Sequence, residues 1–136
     1  MQGEKKEKTS KKFINCILFN ARSANNKISE LRSLLFTEKF DLICITETWF
    51  NDNISDGIVC ADTNYSILRK DRVARHGGGV AVLYRTDLKM FKIDNTLVCD
   101  FYDSSKCEYR LIVCYRPPNY DIDLTISICS DVENYI

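Results

Sequence analysis

Two short apolar runs, Phe13 to Phe19 (FINCILF) and Phe40 to Ile45 (FDLICI), constrain this chain more than any other feature. Each has strand length. Each also stops abruptly at polar residues: Asn20 after the first, and Thr46, Glu47 and Thr48 after the second. Runs that are apolar throughout, instead of alternating, suit strands buried on both faces. Between them, Asn20 to Asn26 (NARSANN) reads as a polar loop in which Ser23, Asn25 and Asn26 are candidate helix caps. From Lys27 the apolar positions Ile28, Leu31, Leu34 and Leu35 recur at helical spacing, which predicts an amphipathic helix over 27–37. The order strand, loop, helix, strand predicts two parallel strands. Their polar ends, Asn20 and Glu47, would then emerge on one sheet edge, where α/β sheets usually bind ligands.

The remainder is richer in strands. Residues 51–63 read as polar and irregular, and Tyr65 to Leu68 as a short strand. The basic stretch RKDRVAR and the triplet Gly77-Gly78-Gly79 then lead into a strand over Val80 to Tyr84, with one or two more strands within 88–99. Tyr109 to Tyr115 (YRLIVCY) is strongly strand-like and is cut off by Arg116-Pro117-Pro118-Asn119, because consecutive prolines prevent further ladder pairing. Residues 122–136 carry the amphipathic pattern of a helix. A βαβ unit followed by a run of strands predicts a mixed-sheet α/β sandwich. At 136 residues the chain can bury roughly two-thirds of its unfolded surface, enough for one domain.

Composition excludes several classes. A chain 45% hydrophobic and 28% charged is not disordered throughout, collagenous or a coiled coil. No run approaches the roughly 20 apolar residues of a membrane span, and no apolar signal segment opens the chain, which predicts an intracellular protein without membrane contact. The formal net charge of zero hides an uneven distribution. Residues 1–12 hold five Lys and two Glu and read as a basic, disordered tail; 69–92 carry seven basic and two acidic groups, and 93–136 three and eight. Such a dipolar chain could hold a polyanion on one face and a cation on another, or simply have a mixed, solvated surface. Seven cysteines without a C-x-x-C pair predict neither zinc nor a disulfide framework. Cys16, Cys44, Cys99 and Cys114 fall in aliphatic runs and read as small core hydrophobes.

Four features could carry chemistry. Asn20 beside Glu47 suits a hard cation that keeps several waters, although a capping Asn and a surface Glu would look the same. Arg69, Lys70 and Arg72, followed by the glycines, could grip phosphate, or the glycines could merely form a tight turn into the next strand. Tyr115, at a strand exit before Arg116 and the prolines, could donate to a phosphate oxygen or be a core tyrosine with a polar tip. His76, the one histidine, sits in a basic glycine-flanked loop and reads as a surface or phosphate-facing group, not a catalytic one.

Taken in order, NARS at 20–23, TETW at 46–49, RKDR at 69–72, GGGVAVLY at 77–84 and CYRPPN at 114–119 resemble a known family. They are similar to the endonuclease domain of non-LTR (LINE-type) retrotransposons, within the endonuclease/exonuclease/phosphatase superfamily of deoxyribonuclease I and the apurinic endonucleases. The resemblance runs from residue 13 to about 136. It implies a four-layer α/β sandwich with two mixed sheets, deoxyribonuclease-I-like, of which 13–136 would be an incomplete, N-terminal portion. It implies catalytic roles for Asn20, Glu47 and Tyr115: Glu47 and Asn20 toward magnesium or manganese, Tyr115 toward the phosphate. Arg69, Arg72, His76 and Arg116 would lie on the DNA-facing side. The implied reaction is hydrolysis of a DNA phosphodiester by water, activated by a His–Asp pair beside the metal.

Two segments of that family are missing. The Gly-Asp-Phe-Asn-like segment after the last helix and the Ser-Asp-His-like segment with the catalytic His do not occur, and Ser130-Asp131 is followed by Val132. The expectation is therefore a gene fragment, degraded copy or partial gene model, inactive alone and poorly soluble because the inner faces of strands 13–19, 40–45, 80–84 and 109–115 would be partly uncovered. Expected partners are DNA and, in a full-length element, a downstream reverse transcriptase and its RNA, with no obligate protein partner and a nuclear location. The alternatives are a non-catalytic DNA-binding remnant, and a phosphoesterase of the same superfamily acting on another phosphate.

Overall fold

The computed structural model describes residues 13–72, 78–94, 97–116 and 122–135. The expected tail at 1–12, His76 and the Pro117-Pro118 stop lie outside the described residues. β1 (Cys16–Asn20) and β2 (Leu42–Thr46) pair in parallel, and α1 (Ile28–Thr37) connects them. The register sets Asn20 opposite Thr46, so the two polar strand ends do finish level. The expected caps are not used. Lys27 occupies the N-cap of α1 without a side-chain bond, because Ala24–Asn26 forms a 3-10 turn that consumes the loop before the helix begins. Arg32 of α1 donates to the carbonyls of Val59 and Ala61 at 3.0 and 2.8 Å. These sit at the C-terminal end of α2 (Asp56–Cys60), a favourable place for a cation. That short helix replaces the irregular segment expected at 51–63, and the Ser55 hydroxyl caps it by accepting from the Ile58 N–H at 3.3 Å.

β3 (Tyr65–Lys70) and β4 (Val80–Arg85) complete a four-stranded sheet of order β1-β2-β4-β3, in which β4 runs antiparallel to both neighbours. β5 (Lys89–Asp94), β6 (Val98–Tyr102) and β7 (Glu108–Ile112) form a second, antiparallel sheet. β7 ends at Ile112, earlier than the expected 115, and Val113 makes one last backbone bond to Leu97 at 3.2 Å. Tyr115 therefore stands beyond the ladder. α3 (Ile122–Glu133) is tied to this second sheet by Arg110, which donates to the Tyr135 carbonyl at 3.1 Å.

Two cores result. Leu31 and Leu35 of α1 and Val59 of α2 pack on Ile43, Ile45, Ala81, Leu83 and Ile67 of the first sheet. On that sheet's other face, Leu42, Cys44 and Val82 meet Leu88, Leu97, Phe101 and Val113 between the sheets. β2 is buried at every position, as its unbroken apolar run requires. β2 and β4 are thus covered, contrary to the expectation of exposed inner faces. β1 and β7, within the expected 13–19 and 109–115, do stay partly uncovered. β1 is one edge of its sheet, and its Leu18, on the side facing the second sheet, is 66% exposed.

The same edge position corrects the cysteine reading. All seven cysteines are free, but only Cys44 and Cys99 are buried, whereas Cys16 on β1 and Cys114 beyond β7 are exposed. Burial, together with the neighbouring Cys16 thiol, pushes the Cys44 thiol up to about 12, which keeps it neutral and inert.

These contrasts set an expected outcome for thermal or urea unfolding. Leu83→Ala, in the first core, should cost about 2–5 kcal/mol. Leu18→Lys should change stability by no more than about 0.5 kcal/mol. A large loss from Leu18→Lys would mean that the edge is covered after all.

Candidate active site

Three stretches of backbone meet beyond the ends of β1 and β2. The Ala21 N–H donates to the Thr46 carbonyl at 2.9 Å, Ser23 to Glu47 at 2.9 Å and Ala24 to Thr48 at 2.8 Å, which fastens the loop after β1 to the segment after β2. On the other side, Thr48 and Trp49 donate to the carbonyls of Gly79 and Gly78 at 3.3 and 3.0 Å, extending the β2–β4 pairing past the sheet. The glycines are needed for this approach. Gly78 and Gly79 have φ of +72° and +88°, and a Cβ on Gly79 would lie 2.5 Å from the Thr48 hydroxyl. Of the two readings of the triplet, close packing is the one seen at Gly79. The Thr48 side chain is fully buried there.

The segment that carries Glu47 is strained. Arg22, Ser23, Glu47 and Trp49 all have positive φ, at 45°, 87°, 51° and 56°. For L-residues this costs on the order of 1 kcal/mol or more each, and such outliers concentrate where a side chain must be aimed. Side-chain exposure alternates along the segment. Thr46, Thr48 and Phe50 are buried, whereas Glu47 is half-buried and Trp49 exposed.

The structure brings Tyr115 to Glu47, the residue after Thr46, which is the strand partner of Asn20. Tyr115 comes from the far sheet, and its hydroxyl donates to Glu47 Oε1, joining the two sheets across 68 positions of sequence. The bond to Glu47, aided by partial burial, pushes the Tyr115 phenol above its ordinary range, while the charge of nearby Arg72 pulls it back. The Asn20 carbonyl oxygen accepts from the Arg22 N–H at 3.0 Å, which fixes the amide at the strand end. Arg72 stands at the same edge, since its stem would meet a Cβ on Gly78 at 2.6 Å.

Arg69 and Arg116 make their bonds elsewhere. Arg69 grips Asp71 bidentately at 3.0 and 2.7 Å and reaches Asp56 at 3.2 Å. It also donates to the carbonyls of Ile54 and Asn51 at 2.6 and 2.9 Å and lies 5.1 Å over the Phe50 ring. With its side chain only 14% exposed, it is an internal clamp on the 50–56 segment. Arg116 donates to the Thr125 hydroxyl of α3 at 2.5 Å. His76 lies outside the described residues.

The donor set can be tested against a cation. Glu47 and Asn20 together offer hard oxygen ligands at an exposed edge. Among the described residues no group of three or more His, Cys, Asp or Glu converges that could hold a metal ion. One carboxylate and one amide fit an ion that keeps most of its water, which is the habit of magnesium, and do not fit zinc or an all-protein calcium cage.

Residues 14–125 match the pattern of the Endonuclease/Exonuclease/phosphatase family. The fold is similar to the endonuclease domain of TRAS1, a telomere-specific non-LTR retrotransposon, with a TM-score of 0.67 and 14% identity over 90% of this chain and 55% of that one. It is also similar to an AP endonuclease from Archaeoglobus fulgidus (TM-score 0.55, 16% identity, 82% and 44% of the two chains). A third likeness is to the AP endonuclease LMAP from Leishmania major (0.59, 16%, 84% and 43%). Among curated proteins none matches. The chain thus spans about half the length of these solved relatives, and the likeness establishes a deoxyribonuclease-I-like fold in part. No helix among the described residues is long and apolar enough to cross a membrane.

The Tyr115–Glu47 bond sets a pH dependence. A phenol raised in the folded state gives stability that is fully present below its unfolded value near pH 10 and is lost as pH rises through the higher folded value. The difference between the alkaline absorbance titrations of wild type and Tyr115→Phe should show one phenol ionising above 10. A difference curve centred at or below 10 would contradict the bond.

Proposed function

The chain belongs to the endonuclease/exonuclease/phosphatase family, and from that premise we propose that it carries part of the site of a magnesium-dependent DNA endonuclease of retrotransposon origin. The observation that best supports this reading is the convergence of Tyr115 and Glu47 from different sheets beside Asn20, with Arg72 close by. Glu47, through its oxygens, and Asn20 would hold the ion. Once bound, that ion would polarise a phosphate oxygen and offset its developing charge. Tyr115 donates a hydrogen bond to the Glu47 carboxylate, which fixes the phenol oxygen; with a cation on Glu47 that O–H would turn to a phosphate oxygen. Arg72 supplies positive charge on the same side.

DNA is the substrate this reading favours, and a nuclear location and a reverse-transcriptase companion would follow from it in a full-length element.

Supercoiled plasmid is the sensitive substrate for the test, because one nick converts the whole molecule to open circle. Magnesium-dependent conversion should disappear in EDTA and fall at least about 100-fold in Glu47→Gln. Nicking that persists in EDTA or in Glu47→Gln would contradict the proposal. So would DNA binding with no nicking in either protein, which would leave a binding-only remnant.

A further inference from the structure

Trp49 is the one tryptophan in the chain, and its placement is not explained by the core or by the cation site. Phe50 and Thr48, its neighbours on either side, are buried, yet the indole is 39% exposed two residues from Glu47. Its backbone is held tightly: the N–H donates to the Gly78 carbonyl at 3.0 Å and the carbonyl accepts from the Asn25 amide at 3.2 Å. Its φ of 56° is one that an ordinary L-residue adopts only under constraint.

The surroundings indicate what the ring would meet. Arg22 and Lys27, both exposed, lie on the loop fastened to this segment, and Lys27 is steadied by its bond to the Ala21 carbonyl at 2.9 Å. Arg72 stands on the opposite side of Glu47's segment, against Gly78. A half-exposed aromatic ring, on a segment bonded to loops that carry Arg22, Lys27 and Arg72, suits a nucleobase. The cations meet the sugar–phosphate backbone, and the indole face meets the base plane. A small inorganic or sugar phosphate would offer the cations a partner but the indole none.

We infer that Trp49 is a stacking platform for an unpaired nucleobase, positioning the strand whose phosphate lies at Glu47 and Tyr115. The inference rests on the proposed function and adds to it the kind of nucleic acid that is gripped. Unpaired bases present a free π-face, so single strands or locally opened duplex bind here more tightly than closed duplex. Stacking is tolerant of base identity, and it places Trp49 as a positioning residue and not a catalytic one.

The single tryptophan makes the test direct. A fluorescein-labelled oligo-dT 20-mer is titrated into the full chain in EDTA, with fluorescein anisotropy and indole emission followed together. The inference predicts that indole emission is quenched with the same midpoint as the anisotropy change. It also predicts that Trp49→Ala weakens binding at least about tenfold while Trp49→Phe retains most of it. A closed duplex of equal length should quench less. If anisotropy saturates while indole emission stays constant, or if Trp49→Ala binds like wild type, the stacking inference is overturned and DNA binding stands. If no anisotropy change occurs in any protein, the DNA reading itself falls and takes the inference with it. The wild-type quenching signal needs no variant, so a misfolded substitution cannot blur the outcome.

Discussion

The central strand β2 is the constraint on which the rest depends. It is buried at every position, pairs with β1 on one side and β4 on the other, and lends alternate side chains to both cores. A strand so enclosed has one register available, because a one-residue slip would exchange the side chains of its two cores and draw Glu47 into the sheet. The end of β2 is therefore a fixed point in the molecule. The loop after β1 and the glycines before β4 are bonded to its continuation on either side.

That fixed end explains why the site can tolerate strain. Glu47 and Trp49 sit in left-handed backbone with carbonyl and amide partners on both flanks, so the cost is offset by bonds that would otherwise go to water. Gly79 permits the close contact with Thr48. Arg69 braces the following segment from behind, through Asp71, Asp56, two carbonyls and the Phe50 ring. The second sheet then contributes Tyr115, positioned by the end of β7 and the Val113–Leu97 bond. The site is a junction between sheets. Both must be docked for Glu47 and Tyr115 to meet.

Much of this was legible in the sequence, for physical reasons. Unbroken apolar runs ending at Asn20 and Glu47 leave little choice but a parallel pair, and that pair is present in register, although only β2 is buried and β1 is an edge strand. The strand expected over 80–84 is β4, the one or two expected within 88–99 are β5 and β6, the latter running on to Tyr102, and the last helix also follows from pattern. Orientation was harder. RKDR shows four charged residues in a row, but not that Arg69 points back into a cage of carbonyls and carboxylates while Arg72 turns to the glycines. Cys16 looked like core because pattern cannot tell an edge strand from a central one. The Glu47–Tyr115 contact spans two sheets, and no local spacing encodes it; only the family resemblance pointed there. Trp49 stood within a quoted motif, and its signal was the alternation of Thr46, Thr48 and Phe50 against Glu47 and Trp49.

The central claim is that Glu47, held at the end of β2 beside Asn20, is the carboxylate that receives a divalent ion. Titrating manganese into the chain and following the free-ion electron paramagnetic resonance signal measures this without any substrate. The account predicts that wild type removes signal with saturating behaviour at one site, that magnesium restores it by competition, and that Glu47→Gln leaves the signal as in buffer. Equal manganese binding by wild type and Glu47→Gln would contradict it.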